Sequence, residues 1–207
     1  MPRVLIYGDS NSFGTAPMAA LGVDAVHPAG VRWGDVMARA LGADWSVVIE
    51  GLPGRTTVHD DPIEGAYRNG LKVLPAILHS HKPIDILVIC LGTNDQKQRF
   101  GLLAEDVALG LARLAREAFA SGTVAQVLLV APPPLRERGD FKDMFRGAEA
   151  RGAGLAGHVA RFAPAEGAGF FDAGSVIEVD PLDGIHWSAE AHGVLGAALA
   201  DRVREMI

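Results

Sequence analysis

Four short polar segments carry the residue types from which an acyl-transfer centre can be built. Gly8-Asp9-Ser10-Asn11-Ser12 presents a serine, and Gly51-Leu52-Pro53-Gly54-Arg55-Thr56 a glycine-flanked turn. Gly92-Thr93-Asn94-Asp95 places an amide beside a carboxylate, and Asp183-Gly184-Ile185-His186 a carboxylate three residues before an imidazole. A serine hydroxyl is a weak nucleophile at neutral pH and needs a base. The base needs an orienting acid, and the developing oxyanion needs two or three donors aimed at it. Ser10, His186, Asp183, Asn94 and Gly54 supply that inventory. The Asp-x-x-His spacing also occurs at Asp24 and His27, so spacing alone leaves both histidines open as the base. Each segment has a plainer reading as well. Gly-Asp-Ser after a strand is an ordinary turn, Asn94 tolerates left-handed backbone angles, and Gly54 relieves the turn after Pro53. Asp9 reads as a brace for the serine loop.

These segments act together only if the fold gathers them. Short apolar runs at residues 4–7, 45–49, 84–91, 127–131 and 169–171 read as strands. They alternate with stretches of helical period, the pattern of parallel strands joined by right-handed crossovers. Residues 31–41, 71–81 and 104–121 read as helices stopped by Gly42, Pro83 and Gly122. Residues 143–162 read as a further helix despite Gly147, Gly152, Gly154 and Gly157. Ser188 reads as the N-cap of a last helix carrying Leu195, Leu199, Val203 and Met206 at helical spacing. The expectation is one doubly wound α/β domain over residues 1–207. Such sheets bind ligands beyond the carboxyl ends of their strands, and the first three polar segments follow strands one, two and three.

In this order the four segments resemble the blocks of SGNH hydrolases of the GDSL type. The stretches Glu50-Gly51-Leu52-Pro53-Gly54-Arg55-Thr56-Thr57, Leu91-Gly92-Thr93-Asn94-Asp95 and Phe171-Asp172-Ala173-Gly174-Ser175 are similar to the bacterial arylesterase/acyltransferase branch, which includes short-chain acetylesterases. The resemblance spans essentially the whole chain. It implies a three-layer α/β/α, flavodoxin-like five-stranded parallel sheet, the SGNH hydrolase fold. It implies Ser10 as nucleophile, His186 as base and Asp183 as its orienting acid, with an oxyanion hole of the Ser10 N–H, the Gly54 N–H and the Asn94 amide. The implied activity is cofactor-free hydrolysis of short acyl, chiefly acetyl, esters of aryl alcohols, carbohydrates or other small molecules through an acyl-enzyme. Acyl transfer is a side activity, and the relatives' association implies a homo-oligomer, for which residues 132–146 are long enough to serve as an arm.

One departure from the family pattern is Asn11, where leucine is familiar. With Thr15 four residues on, it predicts a wetter mouth that favours water over an alcohol as acyl acceptor. Asn11, Lys97, Phe100, Ile185 and Trp187 are the candidates for substrate contacts, Trp187 reading first as a packing residue and second as a substrate wall. Thioester or lysophospholipid hydrolysis by the same residues, and a non-catalytic flavodoxin-like binding module, are the rival readings.

Composition narrows the classes further. The 207 residues are 49% hydrophobic and 21% charged, enough to bury a substantial core and unlike a disordered chain. A net charge of −6 with no basic run argues against nucleic acid as a partner. The single cysteine, Cys90, allows no intrachain disulfide and no multi-cysteine metal site. His79 and His81 lack a matched third ligand, so no metal is expected. No Gly-x-Gly-x-x-Gly or Walker-type motif invites a nucleotide. With no run of about 18 apolar residues, no membrane partner is expected and a cytoplasmic location is the default.

Overall fold

The computed structural model describes residues 1–23 and 25–207, so the pairing of Asp24 with His27 lies outside the described residues. The five apolar runs form β1 (Arg3–Gly8), β2 (Ser46–Gly51), β3 (Ile84–Cys90), β4 (Val124–Ala131) and β5 (Gly169–Asp172). They pair in parallel in the order β2-β1-β3-β4-β5. Parallel neighbours cannot be joined by tight turns, and the crossovers carry helices. These are α1 (Ser10–Phe13), α2 (Trp33–Leu41), α3 (Gly70–His81), α4 (Ala104–Ala120), α5 (Ala148–Arg151) and α6 (Leu155–Phe162), and α7 (Ala189–Arg204) follows β5.

The two-residue alternation of the strands sorts the core into two layers. Leu5, Tyr7, Leu87 and Ile89 face Leu74 and Leu78 of α3, Leu111 of α4 and Val159 of α6. Val4, Ile6, Ile86 and Val88 face Trp33 and Met37 of α2 and Leu195 and Leu199 of α7. Each fully buried leucine here contributes about 1.5–3 kcal/mol relative to exposure. The chain leaves β1 toward β2 on one side and returns to place β3 on the other. The sheet therefore reverses winding between β1 and β3, and the loops after these strands diverge to open a crevice at their carboxyl ends.

The three-layer, doubly wound expectation agrees with this architecture, and Ser188 does cap α7, its hydroxyl accepting the Ala191 N–H at 3.2 Å. The continuous helix expected over residues 143–162 does not form. Gly147 and Gly154 take left-handed angles (φ 76° and 82°), which divide the stretch into a turn, the short α5 and then α6. Helical periodicity there came from apolar residues that pack from separate pieces. Nor do residues 132–146 project as an arm. Leu135, Phe141 and Phe145 fold back on Ile185 with Met18 and Met144 against them, because those apolar side chains cover the crevice. No helix among the described residues is long and apolar enough to cross a membrane.

Candidate active site

Ser10 is the first residue of α1, on the sharp turn that follows β1. The turn is fixed by Asp9, whose carboxylate accepts the Asn11 N–H at 3.0 Å. His186 lies on the segment leading into α7, and its Nε2 stands 3.2 Å from Ser10 Oγ. Its Nδ1 stands 2.7 Å from Asp183 Oδ2. The three residues have side chains in one hydrogen-bonded series although Ser10 and His186 are 176 positions apart. Asp183 is wholly buried. Its Oδ1 accepts the N–H groups of Ile185 and His186 at 2.9 Å, and its Oδ2 also accepts the Met18 N–H at 2.9 Å. Burial pushes this carboxyl up, but the His186 ring and the backbone donors outweigh it and hold the carboxyl below the usual range. An ionised, rigidly held carboxylate on Nδ1 fixes the ring so that Nε2 faces the serine.

Two further loops meet this series. Asp95 accepts the Thr57 N–H at 3.0 Å and the Thr57 hydroxyl at 2.5 Å, tying the loop after β3 to the loop after β2. Arg55 reaches back, donating to the carbonyl of Gly8 at 2.8 Å and to that of Glu50, with its guanidinium 4.0 Å above the Tyr7 ring. These ties place Gly54 and Asn94 on the wall of one cavity with Ser10 and His186. Gly54 has φ 78°, and its N–H makes no hydrogen bond among the described residues. Asn94 Nδ2 is engaged, 3.2 Å from the Arg55 carbonyl oxygen and 3.4 Å from Asp9 Oδ2.

The cavity encloses about 400 Å³, toward the small end of the roughly 300–1,000 Å³ usual for small-molecule sites. Lys97 and Ile185, two of the five expected substrate contacts, line it. The other three do not. Asn11 is turned beneath the serine and is 1% exposed, its Nδ2 donating to the Ile185 carbonyl at 3.3 Å. Phe13 takes the place at the mouth that Asn11 was expected to wet. Trp187 is core, packed in the α2–α7 layer. Phe100 turns outward onto His59, with ring centroids 6.1 Å apart. His27 also stands off the cavity, its Nε2 3.0 Å from the Trp187 carbonyl oxygen. His81 pairs with Glu50 at 2.8 Å rather than with His79. No group of three or more potential metal ligands occurs among the described residues.

Sequence reasoning missed two groups of lining residues. Phe141, Met144 and Phe145 form one apolar part of the wall. Their one-face helical spacing beyond the end of β4 was a readable signal. Glu64 and Arg68 form a charged part, on the segment between β2 and α3, where no motif in the sequence singled them out.

Known proteins bear on this geometry. Residues 6–194 match the model of the GDSL-like lipase/acylhydrolase family. The inhibitor-bound aryl esterase of M. smegmatis is 38% identical with a TM-score of 0.94, each chain covered over 100% of its length. A carbohydrate acetylesterase from Sinorhizobium meliloti is 38% identical with a TM-score of 0.95, again over 100% of both chains. A lipase/acylhydrolase from Enterococcus faecalis, 20% identical with a TM-score of 0.70 over 99% of this chain and 96% of its own, shares the fold. Comparison with curated proteins gives no match. With the family matched over most of its length, the chain belongs to the GDSL-like lipase/acylhydrolase family, the SGNH hydrolases, and is a hydrolase.

Proposed function

We propose that the protein is a serine esterase that removes short acyl groups, acetyl first among them, from small-molecule alcohols, its 207 residues working as one catalytic domain. The observation that carries this reading is the series Ser10 Oγ, His186 Nε2, His186 Nδ1, Asp183 Oδ2 opening into a cavity that Gly54 and Asn94 also line. In this reading Ser10 Oγ attacks the ester carbonyl as its proton passes to His186 Nε2. The imidazolium is held by Asp183, and the same proton then goes to the departing alcohol oxygen. The tetrahedral oxyanion is stabilised by the N–H groups of Ser10 and Gly54 and by Asn94 Nδ2, whose long contact to Asp9 gives way to the stronger acceptor. Water, deprotonated by His186, then releases the acid from the acyl-enzyme and restores Ser10.

A small acyl group suits the modest cavity, and the apolar neighbours Phe13, Met18 and Met144 favour a small ester over a charged one. Phe13, Met18 and Met144 give an alcohol acceptor an apolar surface to rest on, which supports acyl transfer as a side activity, while Thr15 and the charged Glu64 and Arg68 on the same lining leave room for water as the main acceptor. Aryl and carbohydrate alcohols are the two classes named for the 38%-identical relatives. Self-association and a cytoplasmic location belong to the same reading, and sedimentation would test the first. The decisive experiment is hydrolysis of p-nitrophenyl acetate, butyrate and octanoate by the wild type beside Ser10→Ala. Acetate hydrolysis that disappears with Ser10 and weakens with chain length supports the reading. Activity indifferent to Ser10 overturns it, and a preference for octanoate moves it to the lysophospholipase rival.

A further inference from the structure

We propose that Glu64 and Arg68 determine specificity for the alcohol half of the substrate, selecting alcohols with neighbouring hydroxyl groups. This rests on the reading of Ser10 as nucleophile and goes beyond it. The lining of the cavity is segregated. Met18, Phe141, Met144, Phe145 and Ile185 belong to one apolar cluster, whereas Glu64 and Lys97 belong to an ionic one.

Within the ionic part, most of the charge is already matched. Lys97 Nζ lies 2.5 Å from Glu64 Oε1 and 3.5 Å from Asp61. Arg99 lies 2.9 Å from the same Glu64 oxygen and 3.4 Å from Asp61. Both cations therefore use Glu64 Oε1 and hold the carboxylate still, while Oε2 accepts from no described residue. Arg68 is the opposite case. Its guanidinium lies 5.0 Å from the Tyr67 ring centroid, and no side-chain hydrogen bond or ion pair engages it among the described residues. Its Nε is buried without an acceptor.

These two unfilled groups converge beside Gly54. A Cβ placed on Gly54 would stand 2.6 Å from Glu64 Oε2 and 3.1 Å from Arg68 Nε, so both reach the proposed oxyanion donor from one side. An acceptor-only oxygen next to a donor-only fork asks for a partner that donates and accepts at adjacent positions. A vicinal diol does this. An anionic alcohol would satisfy Arg68 but would meet the Glu64 carboxylate in the same notch. A bare aryl ring could lie on the guanidinium yet would strip water from Oε2 without replacing it, an unfavourable exchange. Sugars and glycerol share the favoured chemistry, with neighbouring hydroxyls beside an esterified one.

The test measures kcat and KM for p-nitrophenyl acetate, methyl xyloside monoacetate, glycerol monoacetate and 3-acetoxybenzoate, with wild type, Arg68→Met and Glu64→Gln. Arg68→Met should lower kcat/KM for the xyloside acetate relative to p-nitrophenyl acetate by tenfold or more, chiefly through KM. Glu64→Gln should lower the same ratio and raise 3-acetoxybenzoate relative to p-nitrophenyl acetate by at least threefold. The glycerol ester following the xyloside ester marks any vicinal diol as sufficient; the xyloside ester alone responding marks a sugar ring as required. Ratios that shift less than twofold in Arg68→Met overturn the proposal while leaving the esterase reading intact. A wild type that hydrolyses no ester counts against the esterase reading instead. The pair is then judged by saturation-transfer NMR with methyl xyloside, which should be weakened in Arg68→Met and which, if equal in both proteins, overturns it.

Discussion

Asn94 Nδ2 and Asp9 Oδ2 stand 3.4 Å apart, and with the 3.2 Å bond to the Arg55 carbonyl both amide hydrogens of Asn94 have acceptors before any substrate arrives. The amide is thereby held in place, and in the proposed mechanism the longer contact is the one that an oxyanion displaces. Asn94→Ala should lower kcat for p-nitrophenyl acetate by about 100- to 1,000-fold, the usual effect of losing one oxyanion donor. KM should stay within a few-fold, because the donor acts on charge that develops after binding. A loss shared equally between kcat and KM would instead make Asn94 a ground-state contact.

The two Asp-x-x-His histidines separate in their surroundings. His186 bonds both Ser10 and Asp183, whereas His27 bonds the Trp187 carbonyl. His186→Ala should abolish all but a residual rate, and Asp183→Asn should reduce kcat by about 10³–10⁴-fold by releasing the ring's orientation and tautomer. His27→Ala should stay within about fivefold of the wild type, the rate enhancement of a general base being about 10²–10⁴-fold. Steady-state rates on one aryl acetate check all three. A His27 variant as impaired as the His186 variant would reopen the assignment of the base.

The sequence carried the strands and the Ser10, Gly54, Asn94 and His186 loops because each of these is local: an apolar run, a glycine turn, a cap. It misled at Asn11, since whether a side chain on a one-turn helix points to the mouth or beneath it depends on rotation about that turn, which no spacing records. Trp187 keeps the packing role that is the first reading of it and loses the substrate contact, because adjacency to His186 in the chain puts consecutive side chains on opposite sides of the segment. The Glu64–Arg68 wall was illegible for another reason. Its meaning comes from Lys97 and Arg99, more than 30 positions away, which use one carboxylate oxygen and leave the other.

Two buried titrating groups should pull stability in opposite directions with pH. Burial, with His27 and His186 close by, lowers His192 from 6.5 to about 3, and its Nδ1 accepts the Trp33 N–H at 3.1 Å. The folded state keeps His192 neutral while the unfolded chain takes up a proton below 6.5, so this group's contribution is complete above pH 6.5 and is lost as pH falls toward 3. Burial raises Asp9 from 3.8 to about 6. Here the folded state holds the proton longer, so stability is greatest below pH 3.8 and declines as pH rises toward 6. Each pH unit in which a group differs in protonation between the states is worth about 1.4 kcal/mol at most. Urea midpoints at pH 4.5 and 7.5 should show His192→Asn, which keeps an acceptor for Trp33, losing less stability on acidification than the wild type. Asp9→Asn should lose more. Unchanged pH slopes in both variants would mean that neither group titrates differently on folding.

Gly54 combines two constraints that a single methyl group would violate. Its φ of 78° lies in the left-handed region, and a Cβ would stand 2.6 Å from Glu64 Oε2 and 3.1 Å from Arg68 Nε. The backbone strain alone costs about 1–3 kcal/mol, and the crowding must be relieved by moving Glu64, which Lys97 and Arg99 hold in place, or by turning the Gly54 N–H. Either response displaces a proposed oxyanion donor. Gly54→Ala should therefore lower the urea midpoint and reduce kcat for p-nitrophenyl acetate by at least tenfold. Gly54→Ala combined with Glu64→Ala should recover part of kcat, because the second change removes the obstructing carboxylate while φ stays strained. A double variant no faster than Gly54→Ala would place the whole defect in the backbone angle and none in the contact with Glu64.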